Sequence, residues 1–194
     1  QKKQTFVVQL RSNIKVVIRK KSGDMMAILE DFYDKQYPLE SKNLTITSNG
    51  VIIDIGAHIG TFILALKNVY PDTKILAYEP DNSSFNLCQR NIRINKLKAI
   101  KVEKLALWKE EKIMSLHTSG NDYLGSSIVT TKGDSEKRVH CTTLLKIFQE
   151  NSIKSCDLLK IDIEGAEYEV LFNAPESVFK KTKTALKKRE NTTT

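Results

Sequence analysis

Four acidic residues and two glycines stand where this chain can do chemistry. Asp54, Gly56 and Gly60 fall in the run VIIDIGAHIG over 51–60, where β-branched apolar residues lead into the pattern D-x-G-x-x-x-G. Glu79 lies nineteen residues beyond Gly60, at the tip of a second apolar run, KILAY, and directly before Pro80. Asp162 and Glu164 close a third apolar run, CDLLKIDIEG over 156–165. A strand, a glycine turn and a helix, then a second strand tipped by a carboxylate, is the layout with which α/β domains hold a nucleoside.

Asp54 decides which kind of nucleoside ligand. In a dinucleotide fold the first turn receives a pyrophosphate on a helix N-terminus, with the spacing G-x-G-x-x-G. Here a carboxylate stands where that anion would approach. Two like charges about 4 Å apart repel by about 4 kcal/mol at an effective dielectric near 20. The same carboxylate attracts a ligand that carries an ammonium and a sulfonium, which is the chemistry of S-adenosylmethionine. The pattern points to methyl transfer and ranks a nicotinamide dehydrogenase last. Gly56 and Gly60 are expected to clear space for the cofactor, because a side chain at either would occupy it. Asp54 is expected near the ammonium and Glu79 on the ribose hydroxyls. Ala57, His58, Thr61 and Pro80 flank them and complete the expected cofactor-binding set, with Asp162 across the sheet. At His58 the backbone N–H, more than the imidazole, is the expected contributor.

A sheet has to position these groups. TFVVQL at 5–10 and IKVVIRK at 14–20, separated by Arg11, Ser12 and Asn13, read as a hairpin. Met26, Ile28, Leu29, Phe32 and Tyr33 give 24–37 a helical face that ends before Pro38. Ile59, Phe62, Ile63, Leu66 and Val69 predict a helix over 59–70, ended by Pro71 and Asp72. A strand over 74–79 follows, then cap chemistry at Asp81, Asn82 and Ser83 for a helix to about Asn95. IKVEKLAL at 100–107 predicts a third strand. Two short β-like runs, 112–117 and 137–142, flank a loop from His117 to Glu136 that holds Gly120, Tyr123, Gly125 and Gly133. Its length suits a lid or an acceptor-binding loop. A helix over 143–151, the strand within 156–165 and a helix from Ala166 complete the order. This alternation predicts an α/β, Rossmann-like domain with a mainly parallel sheet and helices on both faces. It occupies 46–175, between an N-terminal hairpin-and-helix cap at 1–45 and a basic tail at 176–194.

Composition narrows the class. With 194 residues, 40% hydrophobic and 28% charged, the chain suits one globular domain with a substantial core. No apolar run approaches the roughly 20 residues that cross a bilayer, and no signal-peptide segment is visible, although Gln1 stands first. No membrane association is expected, and a cytoplasmic location is. Cys88, Cys141 and Cys156 form no C-x-x-C pair and read as buried reduced thiols, not zinc ligands. Of the net charge of +8, six Lys or Arg against two Glu sit in 176–194, which reads as a solvated tail and argues against a nucleic-acid partner.

VIIDIGAHIGTF, the YEP that follows the second strand and, above all, DLLKIDIEGAEYEVL at 157–171 together resemble the FkbM-type methyltransferase family. The similarity covers about residues 40–175. It implies a class I S-adenosylmethionine-dependent O-methyltransferase acting on hydroxyls of a sugar, a glycan or a small natural product. It also implies Asp54, Gly56 and Gly60 at the methionine end of the cofactor, Glu79 on its ribose, and Asp162 and Glu164 beside the transferred methyl. Asp162 is the first candidate for the base that a high-pKa hydroxyl requires, Glu164 the second, with His117 and His140 further off. A structural pairing with Lys160, or a hold on the cofactor ammonium, is the competing role for Asp162. Catechol-type methyltransferases add an Asp-Asn pair for a divalent metal after the next strand. That strand is not recognisable here, and no metal is expected.

After Pro175 the sequence ESVFKKTKTALKKRENTTT shows no strand. The expected fifth strand falls near Thr182 to Leu186, where lysines stand. The last C-terminal strands therefore read as missing, with the fourth strand left as an exposed apolar edge. This keeps open a catalytically impaired, methyltransferase-like binding module, alongside the less supported RNA methyltransferase. The acceptor and the oligomeric state are not encoded in any pattern that can be read directly.

Overall fold

The computed structural model describes residues 4–34, 37–42, 44–118, 126–127, 135–163 and 165–187. The chain opens with an antiparallel hairpin, β1 (Thr5–Gln9) and β2 (Lys15–Arg19), and a helix, α1 (Asp24–Phe32). Then follow β3 (Val51–Ile55), α2 (Thr61–Val69), β4 (Lys74–Tyr78), α3 (Asn82–Ile94) and β5 (Ile100–Glu103). The middle of the chain holds β6 (Ala106–Leu107), β7 (Ile113–Thr118), β8 (Ser126–Ser127), β9 (Ser135–Thr142) and α4 (Leu144–Glu150). It closes with β10 (Leu158–Ile161), α5 (Glu167–Asn173), α6 (Glu176–Lys180) and β11 (Ala185–Lys187).

The apolar runs that precede the acidic residues become one five-stranded sheet, ordered β11-β10-β3-β4-β5. Every neighbouring pair in it is parallel. Strands buried on both faces read as nearly continuous apolar runs, and VIIDI and LLKI do. Ile53, Ile55, Leu76, Leu159 and Ile161 pack against Ile147 and Phe148 of α4, Val170 of α5 and Val178 of α6. On the opposite face Ile52, Ile75, Ala77 and Leu158 meet Phe62, Ile63 and Leu66 of α2 and Cys88 of α3. The α/β fold with helices on both faces is thus present. From β3 the chain steps outward to β4 and β5, then returns to the other side of β3 as β10. Such a reversal opens a crevice at the carboxyl ends of the strands.

Two expectations are corrected. The strand expected over 100–107 breaks after Glu103: β5 is the sheet edge, and Ala106–Leu107 pairs instead with β9 in a second sheet, ordered β6-β9-β7-β8. The tail after Pro175 does contain a strand. β11 runs parallel to β10, with Leu159 N donating to Thr184 O at 2.9 Å and Lys183 N to Cys156 O at 2.8 Å. It escapes a sequence pattern because three residues on an edge show no alternation, and lysines suit an edge strand. Lys183 Nζ pairs with Asp157 at 2.8 Å, and Val178 of α6 is 1% exposed. β10 is therefore covered on both sides and is not an apolar edge.

The hairpin is fixed to α3 by two asparagines. Asn91 accepts from Val17 N at 2.7 Å and donates to Val17 O at 3.2 Å and Ile59 O at 2.8 Å; Asn95 makes the equivalent pair with Lys15 N and O, at 2.9 and 2.6 Å. Four helical residues rise about 6 Å and two strand residues about 6.6 Å, so the asparagine spacing matches the outer edge of β2 and satisfies it. Among the described residues no helix is long and apolar enough to cross a membrane. All three cysteines are free and buried.

Candidate functional site

The ends of β3, β4 and β10 bring Asp54, Glu79 and Asp162 to one rim of the sheet. The turn between β3 and α2 is held by Gly56 N and Ala57 N, both donating to Tyr78 O at 3.0 Å. Gly56, His58 and Gly60 have φ of 77°, 50° and 86°, a left-handed path that glycine adopts without strain. What the glycines make room for differs from expectation. A Cβ on Gly56 would lie 1.8 Å from the carbonyl oxygen of Asp162, and one on Gly60 would lie 2.9 Å from Cys88 Sγ. Both positions accommodate neighbouring protein, namely the exit of β10 and the body of α3. Ala57 and Thr61 are buried, Thr61 as the first residue of α2, and Pro80 is half-buried.

Glu79 is 6% exposed, and each carboxylate oxygen accepts one backbone N–H, from His58 at 2.8 Å and from Asp81 at 2.8 Å. Burial pushes its carboxyl up. One acid thereby ties the glycine turn to the start of α3, and each oxygen retains a lone pair for a further donor. Asp81 caps α3 through Ser83 N and Ser84 N, at 2.9 and 3.0 Å, and pairs with Lys137 of β9 at 2.6 Å. The His58 backbone N–H is thus held by Glu79. Its imidazole Nε2 lies 3.0 Å from Arg19 Nη2 and 3.3 Å from Asp24 Oδ1.

Asp54 is fully buried beneath the turn. Lys160 Nζ lies 3.0 Å from its Oδ1, and its Oδ2 has no hydrogen-bond partner among the described residues. The two residues sit opposite each other in the β3–β10 register, one opposite-signed charge inside each apolar strand. Lys160 also donates to Gly56 O at 2.8 Å and lies 5.6 and 5.8 Å from the ring centres of Phe62 and Tyr37. Burial alone would lower Lys160, but Asp54 and Asp162 outweigh it and hold the ammonium well above the usual lysine range. Lys160 is thus the partner of Asp54, not of Asp162 as the competing role had it.

Asp162 is half-buried just past β10; its N–H donates to Ile55 O at 3.0 Å and its Oδ2 accepts the Tyr37 hydroxyl at 3.3 Å. Glu164 lies outside the described residues, as do Gly120, Tyr123, Gly125 and Gly133 of the expected loop. The arms of that loop are β7 and β9, and His117 and His140 lie within those strands, facing Glu136 and Ile113 in register. Among the described residues neither histidine hydrogen-bonds Asp162. Glu167 accepts from Ile163 N at 3.1 Å and Gly165 N at 2.9 Å, and so shapes the turn that follows Asp162.

Two contributors come from positions the motifs did not mark. Tyr37 is buried edge-on against Phe62, with ring centres 5.1 Å apart. Asp31 of α1 is half-buried and faces Thr61, Lys160 and Asp54; burial pushes its carboxyl up to about 6, against the Thr61 hydroxyl and the Lys160 charge. Lys160 was quoted within its motif, but its partnership with Asp54 required the strand register. Asp31 and Tyr37 gave no signal beyond a helical face and an aromatic before Pro38. Among the described residues no three His, Cys, Asp or Glu side chains are placed to hold a metal.

Residues 54–188, which span this rim and reach through β11, match the methyltransferase FkbM domain. The chain belongs to that family. Relatives include "Methyltransferase 1" of Beauveria bassiana (strain ARSEF 2860), 29% identical over 164 residues, covering 73% of this chain and 64% of that protein. "Methyltransferase sdnD" of Sordaria araneosa is 28% identical over 181 residues, covering 76% of this chain and 67% of that protein. The chain therefore spans less than two thirds of the first relative's length. The crystal structure of the FkbM methyltransferase from Methylobacillus flagellatus KT superposes with a TM-score of 0.53 at 16% identity, over 79% of this chain and 34% of that one. This FkbM-family domain thus shares its fold with a known family member.

Proposed function

We propose that this FkbM-family domain is an S-adenosylmethionine-dependent methyltransferase that acts on a hydroxyl of a sugar, a glycan or a small natural product. The observation that carries this is a charge imbalance. One buried ammonium, Lys160, faces three carboxylates, Asp31, Asp54 and Asp162, and Asp54 Oδ2 has no partner among the described residues. A buried carboxylate surplus is costly until a cation arrives. The rim therefore fits a cofactor whose amino-acid end carries an ammonium and whose sulfur is cationic, and it opposes a pyrophosphate. Glu79, with a lone pair left on each oxygen, suits the ribose diol. Membership of the FkbM family and the names of the two fungal relatives support the same assignment. β11 supplies the first of the strands whose apparent loss had favoured an impaired binding module.

When bound, the cofactor supplies an electrophilic methyl group on sulfur. The chain's own residues supply position and a base. The Asp54–Lys160 pair fixes the turn through Gly56 O, and Glu79 fixes it through His58 N. With Tyr37 on Oδ2, Asp162 keeps its other oxygen for the hydroxyl proton as the acceptor oxygen takes the methyl; Glu164 is the second candidate for that proton.

Calorimetric titration of the folded chain with S-adenosylhomocysteine tests the assignment. Micromolar binding that is lost in Glu79→Ala and Asp54→Ala, each shown to be folded, is the expected result. A folded wild-type chain that does not bind overturns it. Transfer of labelled methyl to sugar or phenol panels, recovered as an ether, then tests the acceptor class.

A further inference from the structure

The amino-acid end of such a cofactor needs an anionic ligand that it can reach, and among the described residues the sheet strands do not present a free one. Asp54 is fully buried and already faces Lys160 at 3.0 Å. Asp162 has Oδ2 on the Tyr37 hydroxyl, and its other oxygen faces the reacting end in the mechanism above. Asp31 remains. It projects from α1, which packs on α2, and it is half-buried while facing the Thr61 hydroxyl at the first turn of α2, directly after Gly60. That contact sets a carboxylate beside the first turn of α2, next to the glycine turn. Asp54 Oδ2, which has no hydrogen-bond partner among the described residues, is an independent sign that this pocket is one positive charge short.

We propose that the N-terminal cap completes the cofactor site, with Asp31 as a direct ligand of the cofactor's amino-acid ammonium. This rests on the cofactor assignment made above. It extends the site beyond the stretch matched by the family, which begins at residue 54. The cap is fastened for this purpose at three points: Asn91 and Asn95 grip β2, Arg19 bridges Asp24 and His58, and Tyr37 reaches Asp162.

The test compares two probes: S-adenosylhomocysteine, which has the amino-acid end, and 5′-methylthioadenosine, which lacks it. Asp31→Asn is expected to weaken the first about tenfold or more and to leave the second unchanged, while Asp31→Glu restores most of the loss. Wild-type affinity for S-adenosylhomocysteine should also fall as pH drops through about 6, and Asp31→Asn should flatten that dependence. The groups facing Asp31 that bear on this profile are Glu30 on its own helix, Tyr37 after it, Thr61 on α2, Asp54 on β3 and Lys160 on β10. Equal S-adenosylhomocysteine affinity in wild type and Asp31→Asn overturns the proposal while leaving the cofactor assignment intact. Parallel loss of both probes also overturns it, by showing a structural role. If the wild type binds neither probe, the cofactor assignment fails first and takes this proposal with it. Circular dichroism of each variant confirms the fold.

Discussion

Gly56 and Asp162 approach so closely that a Cβ on the glycine would lie 1.8 Å from the aspartate's carbonyl oxygen. Two motifs more than a hundred residues apart are thus interlocked through backbone, and no flexible side chain can yield between them. Gly56→Ala should cost about 3 kcal/mol or more, because a backbone clash adds to a positive φ. Gly165 also has a positive φ, but nothing among the described residues lies within 4 Å of its Cβ position. Gly165→Ala should cost only about 1–2 kcal/mol. Chemical denaturation of the two variants checks the contrast, and equal losses would refute it.

Lys160→Met should destabilise the domain by about 3–5 kcal/mol, since it strands the Asp54 charge in the core. Adding Asp54→Asn to that variant should recover part of the loss, because the stranded charge is gone. A double-mutant cycle measured by urea unfolding reads the coupling. Strict additivity would show that the 3.0 Å pair carries no interaction energy.

Asp24 links stability to pH. Burial alone would raise its carboxyl, but His58 and Arg19 outweigh it and hold it well below the usual range. A depressed carboxylate stabilises the fold above its unfolded value, near 4, and that stabilisation is lost as pH falls toward the folded value. Asp24→Asn, which removes the charge that Arg19 meets at 2.6 Å, should cost about 3–5 kcal/mol at pH 7. Thermal unfolding against pH should show the gap between wild type and variant closing below about pH 4. A constant gap would assign the effect to packing.

Removing residues 176–194 should do more than trim charge. It takes Val178 from the core and β11 from the flank of β10, leaving an apolar parallel strand unpaired along its outer edge. Size-exclusion chromatography should show aggregation of the shortened chain. Lys180→Ser, at a 70% exposed side chain, should change stability by less than about 0.5 kcal/mol. A shortened chain that stays monomeric and unfolds as before would show β11 to be dispensable.

The sequence by itself determined the α/β class, the alternation of elements, and the turn that joins Asp54 to Glu79. These follow from local rules: apolar strands buried on both faces, a 3.6-residue helical period, and glycines where φ turns positive. Tertiary structure alone decided who pairs with whom. Lys160 meets Asp54 only because β10 lies beside β3 in one register, and the glycines are required by Asp162 and Cys88, not by open space. β11 exists because β10 offers an edge, although Ala185–Lys187 has too little pattern to declare itself. Asp31 and Tyr37 reach the rim because the cap docks there through side-chain hydrogen bonds. Long-range pairing depends on the relative placement of whole elements, and periodicity within one element does not encode it.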